Sequence, residues 1–306
     1  MEQDRVDLPR LTAKMNEVLT SLVTTPLAPQ LYLVATPIGH LGDISLRALA
    51  TLARVDKLAV EDTRRSGTLL QHFGLSTPMM AYHDHNGAQM RPQIVSFIKE
   101  GHSVALISDA GTPLISDPGY KLAKEVRAAG LEVEVVPGPS AVMAGLSLSG
   151  LPTDRFLFEG FLPPKQQARR RQLEALQGIN ASLVFFETVK RIPAVLQDMV
   201  EVLGDRPVAL CRELTKMHQE VIEGTMLEVL AVLKERDLKG ELVVIVGPPE
   251  RGEVSDEEID RALEAHVANG ASMKDSVGLV VEAMDVPKRR VYDLSVGLKK
   301  RLEGSA

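Results

Sequence analysis

The chain has 306 residues, of which 44% are hydrophobic and 25% charged, and its formal net charge is −6. These values are typical of a soluble globular protein with about two domains, and they exclude disordered, collagen-like and coiled-coil chains. With no Trp and only 4% aromatic residues, the core must consist mainly of aliphatic side chains and Met. The single cysteine, Cys211, excludes an intrachain disulfide and favours a reducing, cytoplasmic compartment.

The first 29 residues carry no strong periodic pattern, and we expect a variable tail at 1–29. A short helix around 11–23 and a mobile tail both fit this stretch. Acidic residues precede any apolar run, which is unlike the order of charges in a signal peptide. The longest uncharged stretch, 135–153, contains three prolines and three glycines, so it predicts a strand end, a turn and a buried helix rather than a membrane span.

Two α/β domains are predicted from short apolar runs that alternate with helical patterns. In 30–151 the runs are apolar nearly throughout, which is typical of buried strands in a parallel sheet. Residues 152–250 repeat the alternation, and a hairpin-like pair of strands around Lys216 predicts a mixed sheet there. The predicted fold class is therefore α/β, with the two domains in succession.

The last part of the chain, 251–306, shows helical patterns only. Ser255 followed by Glu258 is a capping-box pattern, and further helices are expected at 272–284 and from Lys288 onward. Two short helices joined by a tight turn, the second of them basic, have the shape of a helix-turn-helix module. A small helical bundle fits the same pattern, so the pattern alone does not establish nucleic-acid binding.

Three loops rich in Pro and Gly follow strands of the first domain, at 37–43, 110–119 and 136–141. Open α/β sheets bind ligands at the carboxyl ends of their strands, and glycine lets the backbone approach a ligand closely. No GxGxxG opens a helix and no GxxxxGK[ST] occurs, so the sequence does not favour a dinucleotide site or a P-loop nucleotide site. The loops suit a neutral or zwitterionic ligand of the adenosine type.

Eight motifs occur in a fixed order along 31–300: TPIGHLGD, AVEDTRRSG, YHDHN, ISDAGTPLISDPG, VPGPSA, FFET, CREL and KGELVVIVG. Together they resemble the tetrapyrrole methylase superfamily. The resemblance implies a class III methyltransferase whose two α/β domains enclose a cleft for S-adenosyl-L-methionine. It also implies a homodimer that methylates the ribose 2′-oxygen of a cytidine in the decoding region of 16S ribosomal RNA.

The resemblance also assigns cofactor contacts by position, on three loops of the first domain and two strand ends of the second. Thr112 stands where the superfamily has an aspartate, so a carboxylate contact there must change or pass to Asp109. The contacts assigned in this way are Pro37, Asp109, Ala110, Gly111, Thr112, Ile115, Ser140, Ala141, Glu187 and Leu214.

Methyl transfer to a ribose hydroxyl benefits from a general base, because the hydroxyl is a poor nucleophile at neutral pH. Candidates follow two strands on the ligand edge, in Glu61-Asp62 and in 83–85, and the resemblance places an acid/base pair at Asp62 and His83. Asp62 equally suits the N-cap of the following helix, and a single loop histidine is more often structural. No His, Cys or carboxylate cluster has metal-ligand spacing, so no metal is expected.

RNA binding by an acidic chain must rely on local basic patches, because phosphate contacts dominate affinity. Three clusters stand out: Arg64-Arg65, Lys165 with 169–171, and 288–290 with 299–301. Each also fits a solvated face. An assembled small subunit, which engages several patches at once, should be a better substrate than short RNA. The RNA contacts that we predict are Arg64, Arg65, Lys288, Arg289 and Arg290.

Two other functions stay open at this point. A methylase of a tetrapyrrole or another small molecule would keep the cofactor and change the substrate. A non-catalytic regulator would keep the fold, bind an adenosyl ligand and use the C-terminal helices to contact nucleic acid. The intact Pro-Gly loops together with the acidic and histidine residues favour an enzyme, and the basic C-terminal part favours RNA.

Overall fold

The structure, a computed structural model, describes residues 7–236, 238–249, 255–284 and 286–303. The chain divides into two compact units, Met1–Pro249 and Glu250–Ala306. Each unit has a hydrophobic core of its own. None of the helices in the described ranges is long and apolar enough to cross a membrane.

Helix α1 (Leu8–Thr24) forms from the amino-terminal stretch, for which the sequence left a helix and a mobile tail open. The side chain of Asp7 caps its first turn by accepting a hydrogen bond from the Arg10 amide at 3.1 Å. The helix packs against α2 (Leu46–Arg54). Its residues Leu8, Leu11 and Met15 are exposed.

The first sheet has five parallel strands in the order β3-β2-β4-β1-β5. Its central strands are buried on both faces, as the continuous apolar runs predict, and separate hydrophobic clusters lie on the two faces. The strands are β1 (Leu31–Val34), β2 (Lys57–Val60), β3 (Met79–Ala81), β4 (Val104–Ile107) and β5 (Val133–Val136), and the helices after α2 are α3 (Thr63–His72), α4 (Gly87–Lys99), α5 (Tyr120–Ala128) and α6 (Ala141–Leu148).

The second sheet is mixed, which confirms the prediction, and its strand order is β6-β7-β10-β8-β9. Strands β6 and β7 are parallel, whereas β10 is antiparallel to both of its neighbours and β8–β9 form the hairpin. The elements are β6 (Phe156–Phe161), α7 (Gln166–Leu176), β7 (Ser182–Thr188), α8 (Ile192–Leu203), β8 (Pro207–Arg212), β9 (Glu220–Thr225), α9 (Met226–Lys234) and β10 (Glu241–Val246).

Helix α6 links the two sheets because it packs against β10 of the second sheet. Gly145 makes this close contact possible: a Cβ at that position would lie 2.9 Å from Val243 Cγ1. Val142 and Leu146 of α6 join the same buried cluster as Val184 and Ile245. The two sheets therefore share one compact unit, and the carboxyl edge of the first sheet faces residues of the second.

The carboxyl-terminal unit is a bundle of α10 (Asp256–Ala268), α11 (Met273–Met284) and α12 (Lys288–Glu303). The predicted capping box is confirmed: Ser255 Oγ accepts from the Glu258 amide, and Glu258 Oε2 accepts from the Ser255 amide. Val280 and Val291 are fully buried in its core. The α/β fold class with carboxyl-terminal helices is thus as predicted, and the exact domain limits stay a prediction.

Candidate functional site

The three Pro-Gly loops lie together at the carboxyl edge of the first sheet. Thr36 and Gly111 exchange two backbone hydrogen bonds, of 2.9 and 3.1 Å, which join the first loop to the second. The Thr112 hydroxyl donates to the Pro139 carbonyl at 3.1 Å and joins the second loop to the third. Gly111 has φ +80°, a left-handed conformation that favours glycine. The loops therefore form one hydrogen-bonded rim.

A cavity of about 410 Å³ opens inside this rim, and its lining comes from both sheets. Ligand sites typically have this size and combine apolar walls with a few polar groups. Ile38, Phe186 and Val243 contribute apolar wall, and the rings of Phe161 and Phe186 meet edge to face with centroids 5.6 Å apart. Both sheets contribute carboxylates, Glu187 and Glu241 from the second sheet among them.

Most residues that the resemblance assigned to the cofactor line this cavity. Pro37 does not, although the next residue, Ile38, does. Ser140 caps α6, its hydroxyl accepting from the Met143 amide at 3.5 Å. The assigned residues that line the cavity are Asp109, Ala110, Gly111, Thr112, Ile115, Ser140, Ala141, Glu187 and Leu214.

Glu187 is the most deeply buried charged group of the cavity wall, with 3% of its surface exposed. Its Oε1 accepts from the Thr188 amide at 2.7 Å, and its Oε2 lies 3.3 Å from Arg191 Nη2. Burial raises the pKa of the Glu187 carboxyl, against the lowering effect of the Thr188 hydrogen bond and Arg191. Within the described part of the chain, Oε2 is buried and has no hydrogen-bond partner, so Arg191 compensates its charge only as an ion pair.

The β8–β9 hairpin closes one side of the cavity. The His40 amide donates to Thr215 Oγ1 at 3.0 Å, and a Cβ at Gly39 would lie 2.6 Å from Lys216 Cγ. Lys216 lines the cavity and pairs with Glu213 at 2.9 Å and with Glu241 at 3.2 Å. The sequence predicts this hairpin but gives no sign that its lysine reaches the ligand edge of the other sheet.

Three carboxylates form an acidic wall of the cavity. Glu61 follows β2, Asp109 directly precedes the second loop, and Asp117 lies within that loop. Arg65 lies 3.2 Å from Asp109 and compensates part of this charge. Burial raises the pKa of Asp117 to about 6, and the charges of Glu61 and Asp109 add to this. The pKa of Glu61 is also raised, first by burial and then by Asp109 and Asp84. Asp117 lies in the motif ISDAGTPLISDPG, but nothing in the sequence pattern predicts a role for its carboxylate.

Asp62 and His83, the predicted acid/base pair, line an adjoining open depression of about 510 Å³. Asp62 caps α3: its Oδ1 accepts from the Arg64 amide, and its Oδ2 lies 2.8 Å from Arg64 Nη2. Hydrogen bonds from the Arg64 side chain and backbone lower the pKa of Asp62 to about 2. Nδ1 of His83 is buried, and no described residue gives it a hydrogen bond. Glu61, Arg65 and Asp109 line both the depression and the cavity.

The three basic clusters occupy different environments. Arg64 and Arg65 are exposed at the depression, with 89% and 68% of their side chains accessible. Arg169 is instead buried against Asp198. On α12, Lys288 and Arg289 are exposed, whereas Arg290 pairs with Asp256 at 2.7 Å. Among the described residues, no group of three or more His, Cys, Asp or Glu is placed to hold a metal ion.

Comparisons with known proteins identify the family. The family model for tetrapyrrole (corrin/porphyrin) methylases matches residues 30–230. A ribosomal RNA small subunit methyltransferase I from Mesorhizobium japonicum is 50% identical, covering 80% of this chain and 84% of the relative. One from Vibrio cholerae is 46% identical, covering 87% of this chain and 93% of the relative.

A solved structure supports the same fold. The crystal structure of uroporphyrin-III C-methyl transferase from Thermus thermophilus complexed with S-adenyl homocysteine superposes with a TM-score of 0.51 at 18% identity, covering 71% of this chain and 97% of that one. The chain therefore belongs to the tetrapyrrole methylase family, among the ribosomal RNA small subunit methyltransferase I proteins.

Proposed function

We propose that the chain is an enzyme that transfers a methyl group from S-adenosyl-L-methionine to the ribose 2′-oxygen of a cytidine in the decoding region of 16S ribosomal RNA. The observation that carries this proposal is the cavity, which gathers nearly all of the expected cofactor residues from both sheets. Relatives 38–50% identical bear a ribosomal RNA methyltransferase name, so a tetrapyrrole substrate or a non-catalytic regulator is not favoured.

The cavity fits an adenosyl ligand in three respects. Its volume of about 410 Å³ lies in the range of small-molecule sites. Glycine at two rim positions allows the loops to pack closely. A Cβ at Gly111 would lie 3.2 Å from Ile38 Cγ2, and a Cβ at Gly138 would lie 3.0 Å from Ala35 Cβ. The Glu187 carboxylate in the cavity wall is a group that accepts from a hydroxyl or ammonium donor. When bound, the cofactor supplies an electrophilic methyl group on its sulfonium.

The residues of the chain then have to orient the ribose hydroxyl toward that methyl group, because positioning supplies much of the acceleration in such transfers. Asp62 and His83 are the acid/base candidates from the resemblance. Asp62 is already engaged as a helix cap and by Arg64, which favours its ionised form. A carboxylate that holds a proton this weakly is a poor general base near neutral pH.

RNA recognition is proposed to use the exposed arginines beside the site and the basic face of α12. Arg64 and Arg65 lie at the depression that adjoins the cavity, where a phosphate beside the target ribose would meet them. Lys288 and Arg289 offer a second patch on the carboxyl-terminal unit. Because the whole chain is acidic, the assembled small subunit should be a better substrate than short RNA.

Calorimetric titration with S-adenosyl-L-methionine tests the cofactor site. We expect binding to the wild-type protein without added metal and a loss of at least about tenfold in affinity, about 1.4 kcal/mol, in Gly111→Val. Gly178→Val is the matched control, because nothing lies within 4 Å of a Cβ at Gly178. Equal affinity in wild type and Gly111→Val, or binding that requires a metal, would contradict the proposed site.

The expected homodimer and cytoplasmic location belong to the same proposal. Analytical ultracentrifugation at micromolar concentration tests the dimer. A single species of twice the 33.3 kDa chain mass supports it, and a monomer at all concentrations contradicts it.

A further inference from the structure

We propose that Asp117 is the group that accepts the proton of the ribose hydroxyl, which makes it a catalytic residue of the transfer. This inference rests on the proposed function. Asp117 takes the proton from the 2′-hydroxyl while that oxygen forms its bond to the methyl carbon, and the electron pair of the broken carbon–sulfur bond stays on sulfur. The products are the methylated ribose, neutral S-adenosylhomocysteine and protonated Asp117.

Asp117 lies in the wall of the cavity itself. It lines the cavity from the same loop as Gly111, Thr112 and Ile115, whereas Asp62 and His83 line only the adjoining depression. A base for this reaction must come within hydrogen-bond reach of a hydroxyl that points at the cofactor methyl group. A cavity residue meets that requirement more directly than a residue of the depression.

The loop that carries Asp117 is held in a strained conformation. Leu114 and Ser116 have backbone φ values of +74° and +60°, which residues other than Gly rarely adopt. The second sheet accommodates this loop at Gly160, where a Cβ would lie 2.9 Å from Ser116 Oγ. Strain of this kind persists where the surrounding structure fixes it, and it is common at functional sites.

The neighbouring carboxylates are less suited to the role. Asp109 is paired with Arg65 at 3.2 Å and accepts a hydrogen bond from the Asp62 amide. The pKa of Glu61 is raised by burial and by Asp109 and Asp84, but Arg65 and His83 act in the opposite direction. Asp117 has no cation among the groups that shift its pKa, which are Glu61, Asp109 and the Ser108 hydroxyl.

This environment suits proton transfer near neutral pH. Burial, then the charge of Glu61, raise the pKa of Asp117 to about 6, with Asp109 acting in the same direction and Ser108 opposing. Above that pH the carboxyl is ionised and ready to accept a proton, and its raised pKa makes it a stronger base than an ordinary aspartate. Asp62, with its pKa lowered to about 2, has the opposite property.

Single-turnover methylation of assembled small subunits tests the role. We expect Asp117→Asn to slow transfer by roughly 100- to 10,000-fold while S-adenosyl-L-methionine still binds in calorimetry. The wild-type rate should fall as the pH drops below about 6, and this acidic limb should be absent from the residual rate of Asp117→Asn. Asp154→Asn, a change at an exposed aspartate just before β6, is the matched control and should keep the wild-type rate.

A second readout needs no turnover. NMR titration of the carboxyl carbons in isotope-labelled protein should show a signal with a pKa near 6. This signal should be missing in Asp117→Asn. In Glu61→Gln its pKa should be lower, because a neighbouring negative charge that opposes ionisation is gone.

The outcomes separate the inference from the proposed function. If wild-type protein transfers no methyl group to the small subunit, the proposed function fails and the inference fails with it. If wild type and Asp117→Asn transfer at equal rates, or if the rate loss appears only in Asp62→Asn or His83→Ala, the inference alone is overturned. Loss of rate in Asp117→Asn with an unchanged acidic limb also overturns it.

Discussion

Asp198 of α8 and Asp117 of the second Pro-Gly loop are aspartates with opposite surroundings. Asp198 is fully buried and meets three donors: Gln166 at 2.9 Å, Arg169 Nε at 2.7 Å and Arg170 Nε at 2.7 Å. Burial by itself would raise the pKa of Asp198, but the hydrogen bonds from these donors outweigh it and the pKa is lowered. Asp117 meets carboxylates instead, and its pKa is raised.

The difference shows how burial can serve two purposes. At Asp198 the buried charge is matched by its partners, so it holds α7 and α8 together and is committed to structure. At Asp117 the buried negative charge meets other carboxylates and no cation, which lowers the stability of the ionised form. The protonation of this group therefore changes near neutral pH. The structural aspartate lies away from the cavity, and the mismatched one lies in its wall.

The largest effect on stability is expected at Asp198. Asp198→Ala leaves Arg169 buried without its carboxylate, and such a loss typically costs about 3–5 kcal/mol. Urea unfolding of the full chain measures it, with Asp154→Ala at an exposed position as the control. A cost below about 1 kcal/mol would mean that the buried ion pair contributes no more than a surface pair.

A smaller effect of opposite sign is expected at Asp117. The folded pKa of about 6 lies above 3.8, the ordinary value of an aspartate, so the favourable contribution of its neutral form is fully present below pH 3.8 and is lost as the pH rises through 6. Asn stays neutral, so Asp117→Asn should be the more stable protein at pH 8. We expect a gain of about 1 kcal/mol after allowance for solvent screening of a partly exposed group.

Urea unfolding at pH 8 and again near pH 4 decides this point. The gain of Asp117→Asn should shrink as the pH falls, since the wild-type aspartate is then neutral too. A variant that is less stable than wild type at pH 8 would show that the Asp117 carboxylate is matched by partners, as Asp198 is.

The arginines of the depression and those of α7 extend the comparison to RNA. Replacing both Arg64 and Arg65 by Ala should weaken RNA binding and reduce the slope of log affinity against log salt by about 0.7 for each lost phosphate contact with a single strand. Arg170→Ala should leave that slope unchanged, because Arg170 is committed to Asp198 and Glu201. Equal slopes in all three proteins would remove Arg64 and Arg65 from the RNA site.

Much of the architecture was predictable because it depends on local patterns. Apolar runs indicated the parallel sheet, and Ser255 with Glu258 indicated the start of α10. The environment of the arginines on α7 was not predictable. Arg169 pairs with Asp198, which lies 29 positions further along the sequence. A run of basic residues has the same sequence pattern whether it forms a buried ion pair or an RNA-binding patch.

The candidate site divides in the same way. The Pro-Gly loops that form its rim follow strands whose carboxyl ends must share one edge, so their meeting was predictable. Lys216 and Asp117 enter the cavity because one sheet packs against the other and because a loop takes left-handed φ values at Leu114 and Ser116. Neither cause has a periodic signal in the sequence.

Primer extension at low deoxynucleotide concentration, on 16S ribosomal RNA from a strain that lacks this chain, shows whether the chain methylates the decoding region. A ribose 2′-O-methyl group halts the polymerase under these conditions. We expect one stop in the decoding region to disappear in the deletion strain, to return with the wild-type gene and to stay absent with Gly111→Val. A stop that persists unchanged in the deletion strain would contradict the proposed function.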